Sequence, residues 1–193
     1  MTRPILLWMT SRSRSSMVSA IFAAHGIFWG ERQVKSAGYD TYENNNIKIL
    51  QKEFKPLWGS AHMRAVDANP EIFELFHDRI KQIVPSDQIW SMKTGIEYYP
   101  AYSGLNPFNV FITRKPEDVA NSICQKRKDA DYKYSLEVTL WRFNYMKQLA
   151  AKDGGVFVDT DKIIAGDMSE IQQAIEYCNL TYHKEAAKMA ITK

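Results

Sequence analysis

Cysteine is scarce in this sequence: Cys124 and Cys178 are the only two in 193 residues. That is too few for a disulfide framework or a thiolate metal centre, and both stand among apolar neighbours, where a free thiol packs as a small hydrophobe. Long hydrophobic runs are missing too. No uncharged stretch is longer than residues 15–30, which are broken by serines, a histidine and glycines and are too few to cross a bilayer. The apolar run 5–9 is too short for the core of a signal peptide, and no small-residue cleavage site follows it, so a cytoplasmic protein without a membrane partner is expected. Charge of one sign is not in large excess either. Twenty-five basic residues against 22 acidic ones leave a net charge of +3, too mild for a nucleic-acid partner to be expected. The Gly-x-x-x-x-Gly-Lys-Ser/Thr spacing of nucleotide triphosphatases is absent, and no apolar strand ends in an unambiguous magnesium-binding aspartate. A metal-dependent kinase or ATPase is therefore disfavoured, and no metal is expected.

What remains is an ordinary globular balance, 45% hydrophobic and 24% charged, at a length that suits one domain over residues 1–193. The charge is unevenly spread. Residues 1–30 hold Arg3, Arg12 and Arg14 and no carboxylate, and a second basic spot gathers Arg114, Lys115, Lys126, Arg127 and Lys128. Two separated basic spots in a near-neutral chain suit a small ligand with two anionic groups better than a continuous polyanion.

Residues 4–9 read as a strand buried on both faces, followed by a hydroxyl-rich loop at 10–16 and a helix that Gly26 stops. Residues 31–46 are polar and nearly aperiodic, and a loop is expected there. Helical spacing predicts helices over 47–58 and 72–84, the second opened by Asn69-Pro70. Residues 88–92 and 109–113 read as strands, the first running into Lys93-Thr94-Gly95. A helix starts at Pro116 with Glu117 and Asp118 in its first turn, where the helix dipole favours acids. A long helix is predicted over 135–152, broken by Gly154-Gly155, then a short strand at 156–158 and a last amphipathic helix carrying Ile171, Ala174, Ile175 and Cys178. Alternating short strands and amphipathic helices predict an α/β domain with a mostly parallel central sheet and helices on both faces.

In open α/β sheets ligands bind at the carboxyl ends of the strands. The first such end, Thr10-Ser11-Arg12-Ser13-Arg14-Ser15-Ser16, sets five hydroxyls and two guanidinium groups before a helix N-terminus, where free N–H groups and the dipole already favour an anion. A serine-rich helix cap with two exposed arginines is the plainer alternative. A cap needs one hydroxyl, however, and has no use for flanking arginines.

At this point the sequence resembles the sulfotransferase superfamily, whose first loop runs Lys or Arg, Ser or Thr, usually Gly, then two hydroxyl residues before an apolar helix. Arg12-Ser13-Arg14-Ser15-Ser16 follows that order, with Arg14 where glycine is usual. A second motif agrees: Arg114 ends a strand, Pro116 follows by two, Asp118 is acidic, and Ser122 lies eight residues after the arginine. The resemblance implies a P-loop-like sulfotransferase fold and the co-substrate 3′-phosphoadenylyl sulfate. Its 5′ phosphosulfate would lie on Ser11, Arg12, Ser13, Arg14, Ser15 and Ser16, and its 3′-phosphate on Arg114 and Ser122. Arg12 would be the cation at the leaving group and Lys93 a second one. Gly95 stands where one branch has its histidine base, and Glu31 is the nearest counterpart of the glutamate used by carbohydrate branches, with Glu97 and His62 as further candidates. The implied acceptor is a carbohydrate or a small alcohol or phenol. A non-catalytic nucleotide- or anion-binding module of the same fold is the alternative reading.

Overall fold

The computed structural model describes residues 2–30, 33–36, 39–59 and 63–191. Four strands form an all-parallel sheet in the order β4-β1-β5-β6, where β1 is Ile5–Met9, β4 Ser91–Gly95, β5 Phe108–Thr113 and β6 Val156–Asp159. β1 sits inside the sheet, and its alternate side chains feed two different cores. Leu6 and Trp8 join an aromatic-rich core with Phe76, Phe111 and Trp58, while Ile5 and Leu7 join Val18, Phe22, Val110 and Ile175 on the other face. This is why the run reads as apolar without alternation. Each such side chain contributes roughly 1.5–3 kcal/mol by leaving water. The one polar atom of Trp8 is satisfied, its Nε1 donating to Asn109 Oδ1 at 2.9 Å.

The helices follow local signals. α1 (Ser15–Ala24) starts straight from the hydroxyl-rich loop. The segment expected as a loop at 31–46 instead contains a two-stranded antiparallel hairpin, β2 (Gln33–Ser36) with β3 (Tyr39–Asn44), and the first turn of α2 (Asn45–Phe54). Its residues are polar and nearly aperiodic in sequence, so the alternation that marks a strand is missing. α2 ends before residue 58 because Pro56 forces a single tight turn over Lys55–Leu57. α3 (Pro70–Ile83) begins as expected, with the Asn69 side chain accepting from Glu71 N. β4 lies three residues later than the 88–92 reading, so that Lys93, Thr94 and Gly95 are inside the strand and pair with Leu7, Trp8 and Met9. A short helix, α4 (Tyr99–Ser103), precedes β5. α5 (Pro116–Lys126) is followed by the long α6 (Tyr132–Asp153), which the Asp131 side chain caps. Three further helices close the chain: α7 (Thr160–Ile164), α8 (Ser169–Tyr177) and α9 (Lys184–Ile191). No helix among the described residues is long and apolar enough to cross a membrane. Cys178 is buried in the second core, where burial pushes its thiol up to about 12, so it is chemically quiet at neutral pH.

Candidate active site

The carboxyl ends of β1, β4, β5 and β6 bring the two motifs and Lys93 together. The β1–α1 loop turns sharply because Arg12 and Arg14 both adopt left-handed backbone conformations, with φ of 67° and 57°. That geometry costs a residue with a Cβ about 1 kcal/mol or more, and it explains why glycine is usual at the Arg14 place. Ser13 is fully buried and its hydroxyl donates to Thr10 O at 2.8 Å, so its side chain ties the loop to itself and does not face a ligand. Ser15 is also buried, whereas Ser11 is exposed and Ser16 half-exposed. No side chain caps the N-terminus of α1, and its first turn holds no acidic residue. The helix end therefore keeps its positive character.

Arg12 links the two motifs. Its Nε donates to Ser122 Oγ at 3.1 Å, and its carbonyl accepts from Arg114 Nη1 at 3.2 Å. Arg114 and Ser122 thus both touch Arg12, one at its carbonyl and the other at its guanidinium. Arg114 is largely buried and its Nε has no hydrogen-bond partner, although it lies 3.6 Å from Asp161 Oδ1. Arg14 reaches the same oxygen at 2.5 Å. Arg14 therefore belongs to an ion-paired cluster rather than to the rim of the loop, and Asp161 is the participant that sequence reasoning missed. Asp159, at the end of β6, caps α7 by accepting from Asp161 N at 2.9 Å.

Lys93 approaches from the other side. It is 4% exposed, and its Nζ donates to Ser16 Oγ at 3.0 Å. Glu97 is held by Arg142, Nη2 to Oε1 at 2.9 Å, while its Oε2 is buried without a hydrogen-bond partner. A methyl group at residue 95 would stand 2.5 Å from that Oε2, so the Glu97 carboxylate fills the space that a side chain at Gly95 would need. Glu31 and His62, the other candidate bases, lie outside the described residues.

Two clefts flank the loop. One, of about 320 Å³, is lined by Ser11 and Arg12, by Ile123, Lys126 and Arg127 from the end of α5, and by Tyr134 and Arg142 of α6. The other, of about 310 Å³, opens where Met9 ends β1 and is lined by Lys93, Thr94 and Gly95 of β4 and by one side of α2. The charged residues among the described lining of both clefts are arginines and lysines, the electrostatic setting of an anion site.

Three solved structures share this architecture. The sulfotransferase domain from the curacin biosynthetic pathway matches with a TM-score of 0.62 at 11% identity, over 96% of this chain and 77% of that one. The sulfotransferase domain of the Synechococcus PCC 7002 olefin synthase matches at 0.60 and 13% identity, over 96% and 76%. Sulfotransferase STF1 from Mycobacterium tuberculosis H37Rv matches at 0.59 and 13% identity, over 100% of this chain and 71% of that one. No family model and no curated protein matches the sequence. The chain has the sulfotransferase fold.

Proposed function

We propose that this chain is a single-domain sulfotransferase of the cytoplasm that moves a sulfuryl group from 3′-phosphoadenylyl sulfate to the hydroxyl of a carbohydrate or a small alcohol or phenol. The observation that carries the reading is the meeting of Arg12 with Ser122 across 110 residues of sequence. It joins both sulfotransferase-like motifs at the carboxyl end of the sheet, where a ligand with two anionic ends is best received.

The residues fit such a donor. Arg114 offers a buried guanidinium N–H without a hydrogen-bond partner, a costly arrangement that a phosphate oxygen would relieve. Arg114 and Ser122 are assigned to the 3′-phosphate, with Lys126 and Arg127 extending the positive field along the cleft that Arg12 lines. The uncapped start of α1, with Ser11, Ser16 and the loop backbone, is assigned to the phosphosulfate. When bound, the donor supplies the sulfuryl group and the bisphosphate that departs.

The protein's own work is positioning and charge stabilisation. Arg12 neutralises the charge that grows on the leaving oxygen, electrostatically and not as an acid, since a guanidinium does not release its proton. Lys93, seated against Ser16, adds a second cation on the opposite side. Glu97, the carboxylate at the place that Gly95 leaves open, is the candidate base, with one oxygen fixed by Arg142 and the other buried without a hydrogen-bond partner. The described residues need supply no metal for these steps.

Thermal melting with 3′,5′-adenosine bisphosphate and with AMP tests the donor assignment. A ligand that binds only the folded state stabilises it by about 2.7 kcal/mol at a hundredfold excess over Kd, and the bisphosphate should raise the melting temperature far more than AMP. Arg114→Ala should remove most of that difference. Equal shifts for the two nucleotides would sink the 3′-phosphate assignment. Donor binding without transfer to any of a panel of sugars, phenols and alkyl alcohols would favour a binding module of the same fold.

A further inference from the structure

The ion pair between α6 and the end of β4 is poorly built to hold the fold together. Arg142, near the middle of α6, donates from Nη2 to Oε1 of Glu97, on the single turn Ile96–Tyr98 that follows β4, at 2.9 Å. Both side chains are only 17% exposed, so each has given up most of its water. A pair withdrawn in this way repays the cost only with good geometry and with hydrogen bonds for its remaining polar atoms. Neither condition is met. The contact is one hydrogen bond rather than a two-pronged fork, and Arg142 Nε and Glu97 Oε2 are both buried without a hydrogen-bond partner. The backbone of Glu97 does not need the pair, because its carbonyl accepts from Val66 N at 2.8 Å. Arg142 also has a second neighbourhood. With Ser135 and Val138, at spacings of three and four along one stripe of α6, it lines the cleft that Arg12 lines. The same side chain thus touches the candidate base and borders the cleft of the residue assigned to the leaving oxygen.

We infer that Arg142 is a positioning residue shared between Glu97 and an anion in the Arg12 cleft: an anionic group bound there draws on the guanidinium, loosens its hold on Glu97 and frees the carboxylate to turn its buried oxygen outward as a base. The inference rests on the sulfotransferase reading for the identity of the anion and the role of Glu97, and on the ion pair itself for the sharing. Two claims on one cation oppose each other, and such coupling is reciprocal. Glu97 therefore weakens the anion's binding as much as the anion weakens the hold on Glu97. A carboxylate that has lost its cationic partner also keeps a proton more readily, so the arriving donor readies the base. In transfer Glu97 takes the acceptor's hydroxyl proton while that oxygen bonds to sulfur, and the bond from sulfur to the bisphosphate breaks with its electron pair leaving on the bisphosphate.

A double-mutant cycle on binding tests the sharing. Wild type, Glu97→Gln, Arg142→Gln and the double variant are titrated by calorimetry at low salt with 3′,5′-adenosine bisphosphate and, separately, with inorganic pyrophosphate, which needs the cationic cleft but no nucleotide site. Glu97→Gln is expected to tighten binding about fivefold or more, the usual scale of coupling between sites, and the gain should largely vanish in the Arg142→Gln background. Arg142→Lys keeps the charge and should keep part of the gain. Glu53→Gln on α2, paired with Arg79, controls for net charge and should bind like wild type. An equal gain in both backgrounds, or none in either, overturns the inference, since charges that act independently add. If Arg142→Gln does not fold, a crystal structure of wild type with the bisphosphate decides: Arg142 should turn from Glu97 toward a phosphate, and an unbroken contact at 2.9 Å with no phosphate oxygen within about 4 Å of the guanidinium overturns the inference. Pyrophosphate binding that responds to Glu97 while the bisphosphate fails to bind removes the donor reading and keeps the sharing. Failure of both anions to bind wild type removes both.

Discussion

Arg14 Nη1 lies 2.5 Å from Asp161 Oδ1, and Arg114 Nε approaches the same oxygen to 3.6 Å. Guanidinium groups from the ends of two neighbouring strands thus close on one carboxylate. Its other oxygen accepts the Lys115 N–H, at the start of α5, at 3.2 Å. A carboxylate flanked by arginines at a helix start occupies the kind of place a phosphate takes.

Asp161→Asn is therefore expected to tighten the binding of 3′,5′-adenosine bisphosphate. A unit charge roughly 6 Å from a phosphate at an effective dielectric constant of about 40 is worth about 1.4 kcal/mol, so the gain should reach up to about tenfold. Calorimetry at low salt measures it. Weaker binding in the variant would mean that Asp161 holds the arginines in place and does not compete with the ligand.

Arg12→Ala should lower kcat for sulfuryl transfer by ~10²- to 10³-fold, the usual cost of losing one donor aimed at developing charge. Bisphosphate binding should remain measurable, because charge on the leaving oxygen is greater in the transition state than in the bound ground state. Turnover with labelled donor, set beside bisphosphate titration of the same preparation, reads both. A variant that turns over like wild type would make Arg12 a mere surface residue of the loop.

Gly95→Ala places a methyl group 2.5 Å from Glu97 Oε2 and 2.7 Å from its Oε1, so the carboxylate must shift against its pairing with Arg142. Crowding of this kind costs about 1–3 kcal/mol, which urea denaturation would register. Transfer should fall together with stability. Glu97→Gln adds no methyl group and should lose transfer while melting close to wild type; full activity in that variant removes Glu97 from the role of base.

Burial is the chief cause that holds His77 below its ordinary value of 6.5, partly offset by the hydrogen bond from Nε2 to Ala101 O at 2.7 Å. The folded protein keeps this ring neutral where the unfolded chain would protonate it. The unfolded state then binds more protons, so the contribution is present above pH 6.5 and is lost as the pH falls below it. Melting temperature should drop between about pH 7.5 and about pH 5.5, with a shallower slope in His77→Gln. Identical slopes in the two proteins would place the acid sensitivity elsewhere.

Much of the architecture was legible because it rests on local chemistry. The uninterrupted apolar run of β1, the Asn69-Pro70 start of α3, the Pro116 start of α5 with its acidic first turn, and the break at Gly154-Gly155 each carry a short-range signal that packing did not overrule. β4 is the instructive departure. Hydrophobicity ends at Met92, but backbone pairing with β1 continues to Gly95 and draws the polar Lys93 and Thr94 into the sheet. The β2–β3 hairpin escaped notice because its residues are polar and nearly aperiodic in sequence, without the alternation that marks a strand.

The site divides the same way. Sequence by itself determined the chemistry on offer: guanidinium groups and hydroxyls between a buried strand and a helix, and an arginine with a serine eight residues on. Only the tertiary structure decided which of these groups meet. It turned Ser13 inward, set Arg12 against Ser122, drew Arg14 and Arg114 onto Asp161 and gathered the lysines of α2 around Lys93. The physical reason is the order of the sheet. With β1 between β4 and β5, and β6 beside β5, side chains more than 100 residues apart are brought within hydrogen-bond reach by strand neighbours that local propensity does not encode.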